Sequence, residues 1–304
     1  MQGLIKSGNQ LDMNKIQAEI DKRNYIDSVI QAYIALGVAK KESALLEANI
    51  GAKESTLKVM EIKLKNGQEI ALNAKKLSNE IVLLKQDLKY NYAQQEKSAE
   101  QFRILTALTG IAPMWDAGSV PVVPDAGSNS QYALDIGKKT LEIANNSIDL
   151  GLAAREHFLP ELSLSFNYGY DMWEQQSSWG FSAGLSFSLF DFFERENKIG
   201  QLNYQKNNNE IALQNLIKEF EYSLKLMRKR IEVLTEKVSA LKGNVEIERE
   251  LQKLYDYQYK TDAIEYPEYM LLMNNLLQAE LTYLRAESEL YLLKKRLQYG
   301  LVKI

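Results

Sequence analysis

The chain contains no cysteine and a single histidine, His157. Without cysteine it can form no disulfide bond, no thiolate metal site, no iron–sulfur cluster and no cysteine nucleophile. One histidine argues against a histidine metal cluster or a Ser–His–Asp triad, and we interpret His157 as a helix-end residue. Breaking residues are scarce as well, with 5 prolines and 16 glycines among 304 residues. So few interruptions predict long, continuous secondary-structure elements.

Long apolar runs and an excess of one charge are also missing. No stretch reaches the roughly 18 apolar residues that a membrane-spanning helix needs, and the residues after Met1 contain no apolar signal-peptide core. Lysine and arginine number 37 against 40 aspartates and glutamates, so the basic excess of a nucleic-acid-binding protein is absent. We find no phosphate-binding glycine loop and no convincing pair of catalytic carboxylates. We therefore expect no catalytic residue, no cofactor, no metal and no nucleic acid as a partner.

Helical periodicity dominates the first third of the chain. Apolar residues recur at the spacing of a helix face from residue 12 to about residue 109, a stretch without proline. The clear interruption is Asn66-Gly67, a turn signal in which glycine suits the left-handed residue that ends a helix. We predict two long antiparallel helices that meet at residues 66–69. Because a helix of ~50 residues is about 75 Å long, too long for a globular core, we expect a coiled-coil-like hairpin.

The helical pattern returns later in the chain and indicates an internal repeat. Residues 1–110 form the first predicted helical-hairpin repeat, incomplete at its N-terminus. Residues 111–130, which include several prolines and glycines, form a predicted linker. The second predicted repeat, residues 131–304, contains a helix over 131–158 and a helical hairpin over 194–299. The predicted fold is therefore mainly α, built from two repeats of long helices.

A different period appears between the helices of the second repeat. Over residues 161–190, large apolar or aromatic residues alternate with small polar ones, which is the period of a β-strand. We predict a β-hairpin whose strands have about nine to twelve residues, the length of a tilted strand that crosses a bilayer. The alternative is a soluble hairpin whose serines and glycines face water, but such a face normally carries charge. The residues expected to face lipid are Leu164, Phe166, Tyr168, Phe181, Leu185 and Phe187.

Three stretches, residues 154–164, 184–191 and 259–270, together resemble the TolC family of outer-membrane efflux proteins. Residues 154–164 look like the family's helix-to-strand entry, and residues 184–191 are similar to its second strand and exit. Residues 259–270 are similar to its helical tip, with Asp262 where glycine is usual and Glu268 where aspartate is usual. The resemblance covers nearly the whole chain. The order of the three stretches between two helical hairpins makes it more specific than any one of them.

The resemblance implies a homotrimer whose β-hairpins contribute to one transmembrane β-barrel within outer-membrane lipid. The helices would form a periplasmic tunnel that docks on a periplasmic adaptor (membrane fusion) protein and an inner-membrane pump. Such a channel is a passive duct of a tripartite efflux or type I secretion system. We expect the two helical turns to lie together, away from the hairpin, and to contact the adaptor or form the gate. The residues concerned are Asn66, Gly67, Gln68, Glu69, Tyr259, Asp262, Glu265 and Glu268.

For three of these acidic residues, an interaction with the helix dipole is an alternative to a role in a channel. Asp262, Glu265 and Glu268 are spaced by three residues at a predicted helix start. Carboxylates there would interact favourably with the positive end of the helix dipole and need have no role in a channel.

The beginning of the sequence departs from the family pattern. Family members carry two strand hairpins per subunit and begin with a signal peptide, whereas this sequence opens directly into a long helix. We therefore expect it to lack an N-terminal portion that holds the signal, a first helix and the first hairpin. The expected location is the outer membrane, with most of the chain in the periplasm. Two other interpretations stay open, an α-helical pore-forming toxin and a structural coiled-coil protein. The repeated helical hairpins argue against the first, and the uncharged hairpin argues against the second.

Overall fold

The computed structural model describes residues 2–67, 69–108, 131–156, 161–171, 176–186 and 193–301. Within these ranges the chain is mainly helical with one β-hairpin, which confirms the predicted fold class. Four predicted features lie outside the described residues: the linker, Gln68, His157 and Phe187. The elements are α1 (Gln2–Lys65), α2 (Ala71–Thr106), α3 (Gln131–Glu156), β1 (Glu161–Asp171), β2 (Gln176–Ser186), α4 (Glu194–Lys260) and α5 (Tyr266–Gln298).

The first helix begins earlier than its apolar periodicity predicts. The pattern starts near residue 12, whereas α1 begins at Gln2. The polar residues of this first stretch are held by α3, because Lys6 Nζ lies 2.6 Å from a carboxylate oxygen of Asp149 and Asn9 donates to Asn145 at 2.9 Å. Polar pairing to a neighbouring helix leaves no apolar period, so the sequence could not show it.

Both long helical hairpins turn through a residue in the left-handed region of backbone space. Gly67 follows α1 with a φ of 72°, a conformation that costs glycine nothing. In the second hairpin Asp262 takes this role, with a φ of 58°. Aspartate tolerates the left-handed region better than most residues do. The two turns that the sequence predicts are therefore present.

The described residues form two compact units. The hairpin unit consists of the described residues within 1–20 and 132–220, and the tip unit of those within 21–131 and 221–304. The helices α1 and α4 contribute to both units, so each unit combines segments of both predicted repeats. The division of the sequence into repeats at residues 110 and 131 stays a prediction.

Within the tip unit, the long helices contact one another in the order α2, α1, α5, α4 away from their turns. Helix α1 packs on α2 on one side and binds α5 on the other, and α5 packs on α4. The pairs that define this order are Phe102 with Leu36, Asp27 with Arg296, and Leu234 with Leu290. Helices α1 and α5 are therefore the inner helices of the row, and α2 and α4 are its edges.

Helix α1 carries buried polar side chains along its length in the tip unit. Each makes hydrogen bonds to its surroundings, as buried polar groups must. Lys53, for example, donates to Glu80 of α2 at 3.1 Å and to Asn274 of α5 at 2.9 Å. Such contacts fix the position of each helix along the axes of its neighbours. The buried polar residues are Asp27, Ser43, Lys53, Thr56 and Lys63.

Among the described residues, no helix combines the length and the apolar character that a membrane crossing requires.

Candidate membrane hairpin and helical tip

The strands β1 and β2 pair antiparallel over their whole length, in a register that sorts their residues into two faces. Residues that lie opposite each other in an antiparallel pair share a face. All the large apolar side chains of the described hairpin therefore gather on one side, with Ala183 among them. The apolar cross-strand pairs are Leu162 with Leu185, Leu164 with Ala183, Phe166 with Phe181, and Tyr168 with Trp179.

The apolar face of the hairpin is open. Phe166 is 66% exposed, Trp179 is 73% exposed and Leu185 is 71% exposed. The predicted lipid-facing residues Leu164, Tyr168 and Phe181 lie on the same face and are exposed too. No described residue covers it. A contiguous apolar surface of this kind is rare on water-soluble monomers and marks a membrane or protein interaction site.

Over residues 163–169 and 178–184 the opposite face of the hairpin is small, polar and uncharged, and the register places Glu161 and Asp171 beyond it at the two ends of β1. The hydroxyls of Ser165 and Ser182 lie 2.7 Å apart, and Ser163 donates to the carbonyl of Gly184 at 3.3 Å. A Cβ atom built on Gly184 would lie 2.8 Å from Ser163 Oγ, so glycine lets the serine lie flat against the strand. The pairs on this face are Ser163 with Gly184, Ser165 with Ser182, Asn167 with Gly180, and Gly169 with Ser178.

The two helical turns meet in the tip unit. Lys63, in the last turn of α1, lies 2.5 Å from the carboxylate of Asp262 in the other turn. The same ammonium group donates to the backbone carbonyl of Tyr259. In return, the Tyr259 hydroxyl donates to Glu69, which follows the first turn, at 3.2 Å. The predicted tip residues Glu69, Tyr259 and Asp262 are thus brought together by Lys63.

Three buried tyrosines lie beside these contacts in the tip unit. Tyr259, Tyr266 and Tyr269 are each 3% exposed or less. The rings of Tyr259 and Tyr269 stack with centroids 4.6 Å apart, and Lys63 Nζ lies 4.1 Å from the Tyr259 centroid. Burial raises the pKa of all three hydroxyls well above the ordinary tyrosine value, and for Tyr259 the neighbouring Glu69 carboxylate raises it further.

The three hydroxyls differ in their partners. Tyr269 donates to the carboxylate of Asp256 at 2.6 Å and lies 3.2 Å from the hydroxyl of Thr56. The Tyr266 hydroxyl is buried and has no hydrogen-bond partner among the described residues. A buried hydroxyl without a partner loses the hydrogen bonds that water gave it and destabilises the fold.

The remaining predicted tip residues lie at the surface. Asn66 and Gly67 form an exposed turn, Glu265 occupies the N-cap position of α5 without a side-chain cap bond, and Glu268 is exposed in the first turn of α5. Because α5 begins at Tyr266, Asp262 lies in the turn before the helix. The Asp262 carboxylate is paired with Lys63 across the two turns, and the interpretation through the helix dipole stays a prediction.

Sequence reasoning missed Lys53 and Lys63. Neither lysine stands out in the sequence, yet Lys53 is 2% exposed and Lys63 is 8% exposed. A signal was present, because Lys53 follows the buried Ile50 by three residues and Lys63 follows the buried Met60 by three. A polar residue at the spacing of an apolar helix face can indicate a buried pair.

No protein-family model matches the chain, and no curated protein matches it in sequence. Its structure is nevertheless similar to those of solved outer-membrane proteins. The outer-membrane channel OprN matches with a TM-score of 0.81 and 15% identity, over 98% of this chain and 71% of that chain. The Campylobacter jejuni CmeC outer membrane channel matches with a TM-score of 0.78 and 12% identity, over 98% of this chain and 67% of that chain. The outer membrane protein VceC from Vibrio cholerae matches with a TM-score of 0.76 and 15% identity, over 98% of this chain and 75% of that chain. The chain therefore has the fold of the TolC-type outer-membrane channels that its sequence resembles.

Proposed function

We propose that the chain is a subunit of a homotrimeric outer-membrane channel that acts as a passive export duct. The observation that carries the proposal is the β-hairpin, with large apolar side chains exposed on one face over residues 162–168 and small, uncharged polar residues on the other face over residues 163–169. Lipid on the first side and water on the second would satisfy both. The structural similarity to outer-membrane channels supports this assignment.

The energetics of the apolar face favour lipid over water. Moving one large apolar side chain out of water contributes about 1.5–3 kcal/mol. Phe166, Phe181 and Leu185 would each contribute in this way, because each is more than half exposed in the single chain. The small polar face gains nothing from lipid and suits a water-filled interior.

The edges of the hairpin argue for several copies. In the described chain, β1 pairs only with β2, so each strand has one unpaired edge. Within a bilayer an unpaired backbone N–H or C=O group costs several kcal/mol, and membrane sheets must therefore close into barrels. Strands from further subunits would supply missing partners, which supports a barrel shared by several copies.

We place the helical tip at the periplasmic end of the duct, where it docks on an adaptor protein that links it to an inner-membrane pump. The support is the surface formed by the two adjacent turns. Asn66, Asp262, Glu265 and Glu268 are all exposed there, so the tip offers polar and acidic groups to a partner. Most of the chain would then lie in the periplasm.

Thiol labelling tests the membrane assignment, and the absence of cysteine makes single-cysteine variants clean. The variants Ser165→Cys and Phe166→Cys place a thiol at neighbouring positions on opposite faces. In intact outer membranes we expect a water-soluble, membrane-impermeant maleimide to label Ser165→Cys and to leave Phe166→Cys unlabelled. Both should react after denaturation in detergent, which controls for the presence of the thiol. Equal and rapid labelling of both native variants would reject the membrane assignment.

Photo-crosslinking tests the adaptor assignment. A photoreactive amino acid at Asn66 or Glu268, both exposed at the tip, should capture the adaptor in cells. The matched control position is Lys242, which is exposed on α4 outside the turns. Capture from Lys242 and not from the tip would show that docking occurs elsewhere.

A further inference from the structure

Two runs of basic residues meet where α4 packs on α5 in the tip unit. Arg228-Lys229-Arg230 lies near the middle of α4, and Lys294-Lys295-Arg296 lies near the end of α5. An ion pair between Arg230 and Glu289 joins the two helices at this level. Residues of both runs line one groove, so positive charge from two distant parts of the sequence is brought together.

The groove is long and mainly apolar, and it is narrow because it lies between two packed helices. Its volume is about 690 Å³, within the range of ligand pockets. Its lining on α4 extends from Ser223 to Lys237, about 21 Å at the helical rise. Leu226 and Val233 are exposed within it, so the apolar surface is open to a ligand. The apolar lining consists of Leu226, Met227, Val233, Leu234, Leu293 and Leu301.

The two ends of the groove differ in character. Helices α4 and α5 run antiparallel, and Arg230 contacts Glu289. Leu301, which follows the end of α5, therefore lies toward the Ser223 end of the groove, and Lys237 lies at the other end. Leu301 is buried and apolar, whereas Lys237 is exposed and charged. An apolar end and a cationic end fit a molecule with an apolar tail and an anionic head.

Lys237 is the cation of the groove that remains available to a ligand. It has no ion-pair partner among the described residues. The residues three and four positions away from it along α4, which are its neighbours on the helix surface, are all apolar. The other cations of the lining have carboxylate partners, namely Lys229 with Glu232, Arg230 with Glu289, and Arg296 with Asp27. One unbalanced positive charge therefore lies at the end of an apolar groove.

We infer that this groove binds one long-chain fatty-acid anion, with its carboxylate at Lys237 and its acyl chain along Val233 and Leu226. One free positive charge matches a carboxylate better than a phosphate monoester, which carries a charge of about −1.5 to −2. The narrow groove accommodates one acyl chain and not the two chains of a phospholipid. The inference goes beyond the proposed channel, because this ligand would stay bound to the subunit and would be separate from whatever the duct exports.

Photolabelling of the full chain in phosphatidylcholine nanodiscs tests the inference. The probe is tetradecanoate with a diazirine in its acyl chain, and peptide mass spectrometry locates the labelled residues. We expect labelling within residues 222–238 of α4 and 289–301 at the end of α5. Unlabelled tetradecanoate should compete with the probe. Tetradecanol, which has the same chain and no charge, should compete about fivefold less well, the scale of one exposed ion pair.

Substitutions in α4 separate recognition of the anionic head from general affinity for acyl chains. Lys237→Glu should weaken labelling about fivefold, and Lys237→Arg should retain it because the positive charge is kept. Val233→Asp should abolish labelling, since it places a carboxylate in the path of the acyl chain. The matched control is Lys242→Glu, the same charge change at an exposed lysine of α4 outside the groove, which should leave labelling unchanged. Circular dichroism should show the same helix content in all four variants.

Several outcomes would overturn the inference. Equal competition by tetradecanol, or unchanged labelling of Lys237→Glu, would show that the groove recognises no anionic head. Stronger competition by a single-chain phosphate lipid would identify a phosphate ligand instead. Absence of label from both segments would mean that the groove binds no fatty acid or is covered by another copy of the chain or by a partner protein. Thiol labelling of the hairpin is a separate measurement, so the channel proposal would stand in each case.

Discussion

At the scale of single residues, the helical tip shows how burial and hydrogen bonding can be separated. Tyr266 and Tyr269 are equally buried and lie three residues apart on α5. Tyr269 donates to Asp256, whereas the Tyr266 hydroxyl has no partner among the described residues. Removal of the same atom from the two side chains should therefore have opposite effects on stability.

We predict that Tyr266→Phe raises the free energy of unfolding by about 1 kcal/mol, because it removes a buried hydroxyl that makes no hydrogen bond to any described residue. Tyr269→Phe should lower it by about 1.5–3 kcal/mol, because the lost bond is to a charged group. Thermal unfolding of the purified protein, followed by circular dichroism, measures both. An equal loss of stability in the two variants would contradict the prediction.

The tip tyrosines also predict a response to high pH. Burial raises the pKa of Tyr259, Tyr266 and Tyr269 in the folded chain above their unfolded value of about 10. A raised folded pKa stabilises the fold fully below that unfolded value, and the contribution is lost as the pH rises toward the folded pKa. Alkaline titration of tyrosinate absorbance should show a late transition for these three tyrosines, above the unfolded tyrosine value, together with loss of helical signal. A single transition for all tyrosines in the folded protein would contradict this.

At the scale of elements, helix α1 buries polar residues, whereas the β-hairpin exposes apolar ones. Helix α1 buries polar residues and satisfies each of them through neighbouring helices, as Lys53 does between α2 and α5. The hairpin exposes its apolar residues and pairs its small polar ones across the strands, as Ser165 and Ser182 do. The buried polar contacts of α1 fix how far the neighbouring helices are shifted along one another. Under the proposed function, the arrangement of the hairpin specifies which side of the sheet would meet lipid.

Arginine substitutions at two adjacent hairpin positions test which face of the hairpin meets lipid. Phe166→Arg should destabilise the assembled protein by about 2–4 kcal/mol, the cost of arginine near the bilayer midplane on a lipid-facing strand. Ser165→Arg is the control on the opposite face, where the guanidinium would reach water. The measurement is the fraction of protein that resists dissociation in detergent on heating. Tolerance of Phe166→Arg together with loss on Ser165→Arg would reverse the assignment of the faces.

At the scale of the whole molecule, the feature that matters is the row of helices with two open edges. The inner helices α1 and α5 are held by partly buried pairs such as Asp27 with Arg296. The edge helices α2 and α4 expose large apolar side chains such as Leu72 and Leu226. In a single copy of the chain these side chains lie in water, which is unfavourable.

The sequence by itself determined the kind of each element. Helical spacing, the Asn66-Gly67 turn and the strict alternation around Phe166 are local properties, because the period of a helix or strand is set within a few residues. The resemblance to outer-membrane channels also rested on short stretches in a fixed order. The sequence located the ends of the helices less well, as the early start of α1 at Gln2 shows.

Only the tertiary structure decided which faces meet. Apolar periodicity shows that a helix has a buried side, but it does not name the helix that covers it. The pairing of Lys63 with Asp262, the missing partner of Tyr266 and the order of the helix row all join residues far apart in the chain. Such contacts depend on relative height and rotation of whole helices, which no local pattern contains. For that reason the sequence revealed the apolar face of the hairpin. The tip contacts and the exposed apolar side chains of α4 appeared only in the packed structure.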